Sequence, residues 1–76
     1  MKVFSERLIK LREEKKYGQR QMARILGITQ PSYRRYELGT SEPNHEMTIK
    51  IAKEFGVTVD YLVGASDQRD VASPKV

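Results

Sequence analysis

Gln30, Pro31, Arg34 and Arg35 carry the most informative chemistry in this 76-residue chain. An arginine guanidinium can bond two acceptors of a guanine edge at once, and a glutamine amide can pair with adenine in the same two-point way. Side chains of these types on one exposed helical face suit the reading of base edges. The local charge agrees. Between Gln19 and Leu38 four arginines, Arg20, Arg24, Arg34 and Arg35, stand against the single Glu37, a net of +3. The acidic residues Glu13, Glu14, Glu42, Glu46, Glu54 and Asp60 lie outside that window.

Such a face needs a scaffold, and the stretch from Gln19 to Tyr36 describes one. A helix from Gln19 to Leu26 carries Met22 and Leu26 four apart, and Gly27 follows where a left-handed residue can reverse the chain. Thr29 caps a second helix, Gln30 to Leu38, which Gly39 closes. Two helices joined by so short a turn must cross steeply, so their contact point takes a small residue, Ala23. Ile28 plugs the space between them. Met22, Leu26, Tyr33 and Tyr36 then face inward, which leaves Gln30, Pro31, Arg34 and Arg35 outside.

The rest of the chain reads as further short helices. The first is expected from about Ser5, as N-cap, to about Lys16, with Phe4, Leu8 and Leu11 at helical spacing. Asn44 caps a fourth, His45 to Phe55. Thr58 caps a short fifth, Val59 to Val63, stopped by Gly64. No run alternates long enough to found a strand. From Ala65 the composition turns polar and aperiodic and includes Pro74. The expected division is therefore a domain over 1–64 and a flexible tail over 65–76.

Composition bounds the remaining options. A net charge of +4 favours an anionic partner. With no cysteine and one histidine there is neither a disulfide nor a metal set, and no cofactor is expected. No nucleophile–base pair, phosphate loop or paired carboxylate supports catalysis or a small-molecule substrate. No apolar run approaches the length of a membrane span, and the N-terminus carries charge where a leader needs apolar residues, so a cytoplasmic protein without membrane contact is expected. Val59, Tyr61, Leu62 and Val63 exceed the needs of so small a core and are assigned to a homodimer surface.

Several motifs in order give a more specific reading. Arg7-Leu8-x-x-Leu11-Arg12, Gln19-x-x-Met22-Ala23-x-x-Leu26-Gly27-Ile28, Tyr36-Glu37-x-Gly39, Pro43, Ile51-Ala52-x-x-Phe55-Gly56-Val57 and Asp60-Tyr61-Leu62-x-Gly64 resemble the Cro/repressor-type helix-turn-helix family, also called the XRE family. The resemblance implies an all-α, compact five-helix lambda-repressor-like DNA-binding domain, with the helix-turn-helix formed by helices 2 and 3. It implies a regulator, a repressor rather than an activator, that binds a palindromic double-stranded DNA operator as a dimer.

Residue by residue, the resemblance places base contacts on Gln30, Pro31 and Arg35, with Arg34 beside them. It makes Gln19 a phosphate contact and pairs Arg12 with Glu37 in a structural ion pair; Arg20, Ser32 and Thr40 are further candidate phosphate contacts. Some positions depart from the family pattern. Tyr33 is larger than the usual Ile or Val, so the core must make room or put the hydroxyl at its edge. Gly18 stands for a Ser or Thr cap, Leu38 for a polar residue, and Glu42 for a basic one. A second class stays open beside this reading: an antitoxin-like interaction module that masks a partner protein and binds DNA secondarily.

Overall fold

The computed structural model describes residues 2–69 as five helices: α1 Lys2–Glu14, α2 Gln19–Leu26, α3 Gln30–Leu38, α4 His45–Phe55 and α5 Val59–Leu62. Among these residues extended structure is limited to one bridge position, Val57. The expected all-α, five-helix architecture is therefore the fold of the chain, and it is of the lambda-repressor-like kind. No helix among the described residues is long and apolar enough to cross a membrane.

The helix starts follow from side-chain oxygens that accept otherwise unpaired first-turn amides. Thr29 accepts from the Ser32 amide at 3.2 Å, Asn44 from Met47 at 2.8 Å and Thr58 from Tyr61 at 2.9 Å. Gly18 begins α2 with no side-chain cap, as its lack of a side chain requires. At the far end of α2, Gly27 adopts φ +73°, and the Ile28 amide bonds back to the Ala23 carbonyl at 3.0 Å. That reversal brings α3 steeply across α2. Lys50 reaches from α4 to the Leu26 carbonyl at 3.1 Å, setting a cation at the negative end of α2.

The core gathers one face from each helix. Phe4, Leu8 and Leu11 of α1 meet Met22, Ala23 and Leu26 of α2, Tyr33 of α3, Ile51, Ala52 and Phe55 of α4, and Val57, Tyr61 and Leu62. α1 lies against both α3 and α5, so it closes the core over the helix pair.

Three expectations are corrected here. First, α1 starts at Lys2, not at a cap on Ser5; the Ser5 side chain is buried and its Oγ donates to the Tyr36 carbonyl at 2.8 Å. The helix also ends two residues early, with Lys16 at φ +61° after it. Second, Tyr61 and Leu62, assigned to a dimer surface, are 7% and 0% exposed, because α5 presses them against α1 and the core. Val59 is half-buried against the same core, and Val63 is half-buried.

Third, the chain after Gly64 is not a loose tail through its described part. Arg7 donates to the carbonyls of Tyr61 and Ser66 and to Asp67, while its guanidinium lies 4.1 Å from the Tyr61 ring centre. The Thr58 amide donates to the Arg69 carbonyl at 3.1 Å, and Arg69 pairs with Glu14. Residues 66–69 thus strap α5 to α1. The remainder of the expected tail, 70–76, lies outside the described residues.

Candidate nucleic-acid interface

The exposed side of α3 follows from what its other side binds. Tyr33 and Glu37, one turn apart, are both buried. The Glu37 carboxylate accepts from Arg12 of α1 twice, Nε to Oε2 at 2.5 Å and Nη2 to Oε1 at 3.2 Å. Gln19 at the start of α2 donates its Nε2 to Oε1 at 2.9 Å, and the Tyr33 hydroxyl donates to Oε2. Arg12 also bonds the Tyr17 carbonyl at 2.8 Å. One carboxylate therefore ties three helices, and no buried side-chain polar atom among the described residues lacks a partner.

The protonation states follow from this arrangement. Burial pushes the Glu37 pKa upward, but hydrogen bonds from Arg12, Tyr33 and Gln19, with the charge of Arg12, outweigh it and hold the carboxyl below its ordinary value. The hydrogen bond to Glu37 raises Arg12 further, against burial. Burial, then the bond to Glu37, pushes the Tyr33 hydroxyl well up, so it stays a donor. Its hydroxyl is turned inward to Glu37, which settles how the core accommodates a tyrosine there.

With Tyr33 and Glu37 inside, the opposite rows of α3 must face out. Gln30, Pro31, Arg34 and Arg35 are exposed, and together with Leu38 they line an open groove of about 340 Å³. Leu38, 61% exposed, adds an apolar side chain to this face. No acidic side chain lines the groove. Its two guanidinium groups and one amide offer several hydrogen-bond donors on one face.

The expected phosphate contacts divide. Arg20 and Thr40 are exposed, Gln19 and Ser32 half-buried. Gln19 spends one amide hydrogen on Glu37 and keeps a second. The amides at the start of α3 are mostly engaged: Ser32 and Tyr33 donate to Thr29, and Pro31 has no N–H. Among the described first-turn residues this leaves the Gln30 amide outside these bonds. The Thr40 amide likewise donates to the Arg35 carbonyl. Among the described residues no group of three or more metal-ligating side chains forms.

Sequence reasoning missed Ser5, Arg7 and Lys50, whose partners are backbone carbonyls far along the chain. Nothing in local spacing points to such partners. The Tyr33–Glu37 bond did leave a signal, since the two stand four apart on one helical face.

Comparison with known proteins agrees with this geometry. The family described as helix-turn-helix domain matches residues 5–67. The HTH-type transcriptional regulator YqaE of Bacillus subtilis is 46% identical over 68 residues, covering 88% of this chain and 59% of the relative. The prophage-derived HTH-type regulator YonR of the same organism is 43% identical over 61 residues, covering 80% and 56%. The transcriptional repressor RstR of the cryptic phage CTXphi in Vibrio cholerae is 35% identical over 65 residues, covering 86% and 59%. The chain thus spans rather more than half the length of these relatives. No solved structure matched at the same stringency.

Proposed function

The chain belongs to the Cro/repressor-type helix-turn-helix family, and on that premise we propose that it regulates transcription by reading a specific duplex DNA site. The observation that carries this reading is the exposed face of α3, where Gln30, Arg34 and Arg35 project together from a helix whose far side is bound through Glu37. A rigid mount matters because base-edge hydrogen bonds tolerate little misplacement.

Arg35 takes a guanine edge, Gln30 an adenine, and Arg34 a base or phosphate beside them. Gln19, through its second amide hydrogen, joins Arg20, Ser32 and Thr40 at the DNA backbone and sets register without reading sequence. Repression is the favoured outcome, since RstR carries that name. The protein acts in the cytoplasm as a homodimer on a palindromic operator. Its remaining candidate dimer surface is Val63 and the outer part of Val59, which stay half-exposed at α5.

The test is selection of bound duplexes from a random library at physiological salt, with Arg35→Ala run in parallel. The expected product is a two-fold symmetric site whose half-sites lie about 34 Å apart. Arg35→Ala should cost about 1–3 kcal/mol and relax preference at one base pair per half-site. Equal losses on selected and random DNA would remove Arg35 as a base reader. Absence of any consensus would reduce the DNA affinity to charge alone and turn attention to a protein partner.

A further inference from the structure

Pro31 occupies the second position of α3, in the row that continues through Arg34, Arg35 and Leu38 on the exposed face. It has no N–H to offer, and its neighbour's amide, that of Ser32, is already held by Thr29 at 3.2 Å. This part of the groove therefore presents carbon where a helix start ordinarily presents donors. Leu38 lines the same groove, 61% exposed. The arginines between them supply positive charge, with no acid to repel a polyanion.

A DNA major groove meeting this surface would bring base edges against the proline ring. Guanine N7 and O6, adenine N7 and the cytosine amino group would each lose water there without gaining a partner. Thymine alone among the four bases offers an apolar group, its C5 methyl, at that edge. From these facts, and resting on the reading of α3 as a base-contacting helix, we infer that Pro31 selects thymine by receiving its C5 methyl in the groove beside Arg34 and Arg35.

Helix geometry adds a position to the chemistry. Pro31 and Arg35 are four residues apart, a rise of about 6 Å, and successive base pairs stack about 3.4 Å apart. The thymine therefore lies one or two base pairs from the pair that Arg35 reads.

The experiment uses the duplex recovered by library selection, with each thymine replaced in turn by deoxyuridine, which removes only the methyl. Affinities are measured for the wild-type protein and for Pro31→Ala, whose helicity is checked by circular dichroism. Alanine suits a first helical turn, so that variant should fold. One thymine per half-site should show a loss of about fourfold, the worth of one buried methyl group. It should fall within two base pairs of the position relaxed by Arg35→Ala, and Pro31→Ala should bind the two duplexes alike. Uniform tolerance of deoxyuridine, or a loss that persists in Pro31→Ala, overturns the inference while leaving sequence-specific binding intact. Failure to select any site overturns both.

Discussion

The hydroxyl of Tyr33 donates to the carboxylate of Glu37 one turn further along α3, and Arg12 and Gln19 complete the shell of that carboxylate. A buried charge is costly unless paired and hydrogen-bonded, and here α1 supplies the countercharge while α2 and α3 supply the remaining donors. The consequence is positional: α3 has a fixed rotation relative to α1 and α2, and Arg34 and Arg35 inherit it.

Removing only the hydroxyl tests that account. Tyr33→Phe keeps the ring in the core but leaves the Glu37 carboxylate one donor short. Hydrogen bonds to charged groups are worth about 1.5–3 kcal/mol, and a loss in that range is expected. Urea unfolding should show a lower midpoint with an unchanged slope. An unaltered midpoint would mean that water replaces the hydroxyl at no cost.

Acid should find the same site. Glu37 is held below its ordinary pKa in the folded chain. Its stabilising contribution is therefore complete above the unfolded value, about 4.3, and is lost as the pH falls through the lower folded value. Thermal unfolding at pH 7 and pH 3 should show the wild type losing more stability than Glu37→Gln, so that the gap between them narrows on acidification. A gap that is constant with pH would assign the acid loss to other carboxylates.

Much of this molecule was legible in its sequence, and the exceptions share one cause. The bounds of α3 and α4 follow from a capping side chain at one end and a glycine at the other, and those of α2 from a glycine at each end, which are local signals. The exposed face of α3 follows from the same periodicity. Ser5 has the look of a cap, yet its oxygen serves the Tyr36 carbonyl 31 residues away. Tyr61 and Leu62 look surplus until α1 is seen to lie on α5. The stretch 66–69 has no periodicity of its own because Arg7 and Thr58 order it from outside. Local patterns place elements, whereas long-range hydrogen bonds decide what each end of an element does.

Gly27 offers a test of the turn itself. A methyl group built there meets nothing closer than Lys50 Nζ at 3.9 Å, so space is not the obstacle. The backbone at φ +73° is, since a left-handed conformation costs an ordinary L-residue about 1–2 kcal/mol. Gly27→Ala should lose about that much stability by chemical denaturation. Gly27→Asn should lose less, because asparagine tolerates this region. Equal losses would point to displacement of Lys50 instead of backbone strain.

The strap over α5 should open when its clamp is removed. Arg7→Met keeps an apolar stem against the Tyr61 ring but deletes the donors to Tyr61, Ser66 and Asp67. The Thr58 amide, bonded to Arg69, then loses the support of the segment that carries its acceptor. Hydrogen exchange at Thr58 should accelerate at least about tenfold, while amides within α2 and α3 change little, because openings of this kind are local. Protection at Thr58 equal to wild type would show that the Arg69–Glu14 pair suffices.

Self-association tests what remains of the expected dimer surface. With Tyr61 and Leu62 buried in their own chain, Val63, which follows α5 as its C-cap, is the member of that set best placed for a second copy, being half-exposed and outside the apolar core cluster. Val3, 44% exposed, lies close to Gly64, the residue after Val63. Val63→Glu places a carboxylate on each side of a two-fold interface, where it meets its own symmetry mate or loses its water. Sedimentation equilibrium should show dissociation strengthened by about tenfold or more, equivalent to about 1.4 kcal/mol. Thermal unfolding at concentrations below the dimer range should stay near wild type, since the substituted side chain leaves the core intact. Affinity for a full palindromic site should fall while that for a half-site holds. Unchanged self-association would place the dimer contact away from α5, and a collapse of monomer stability would show that Val63 belongs to the core after all.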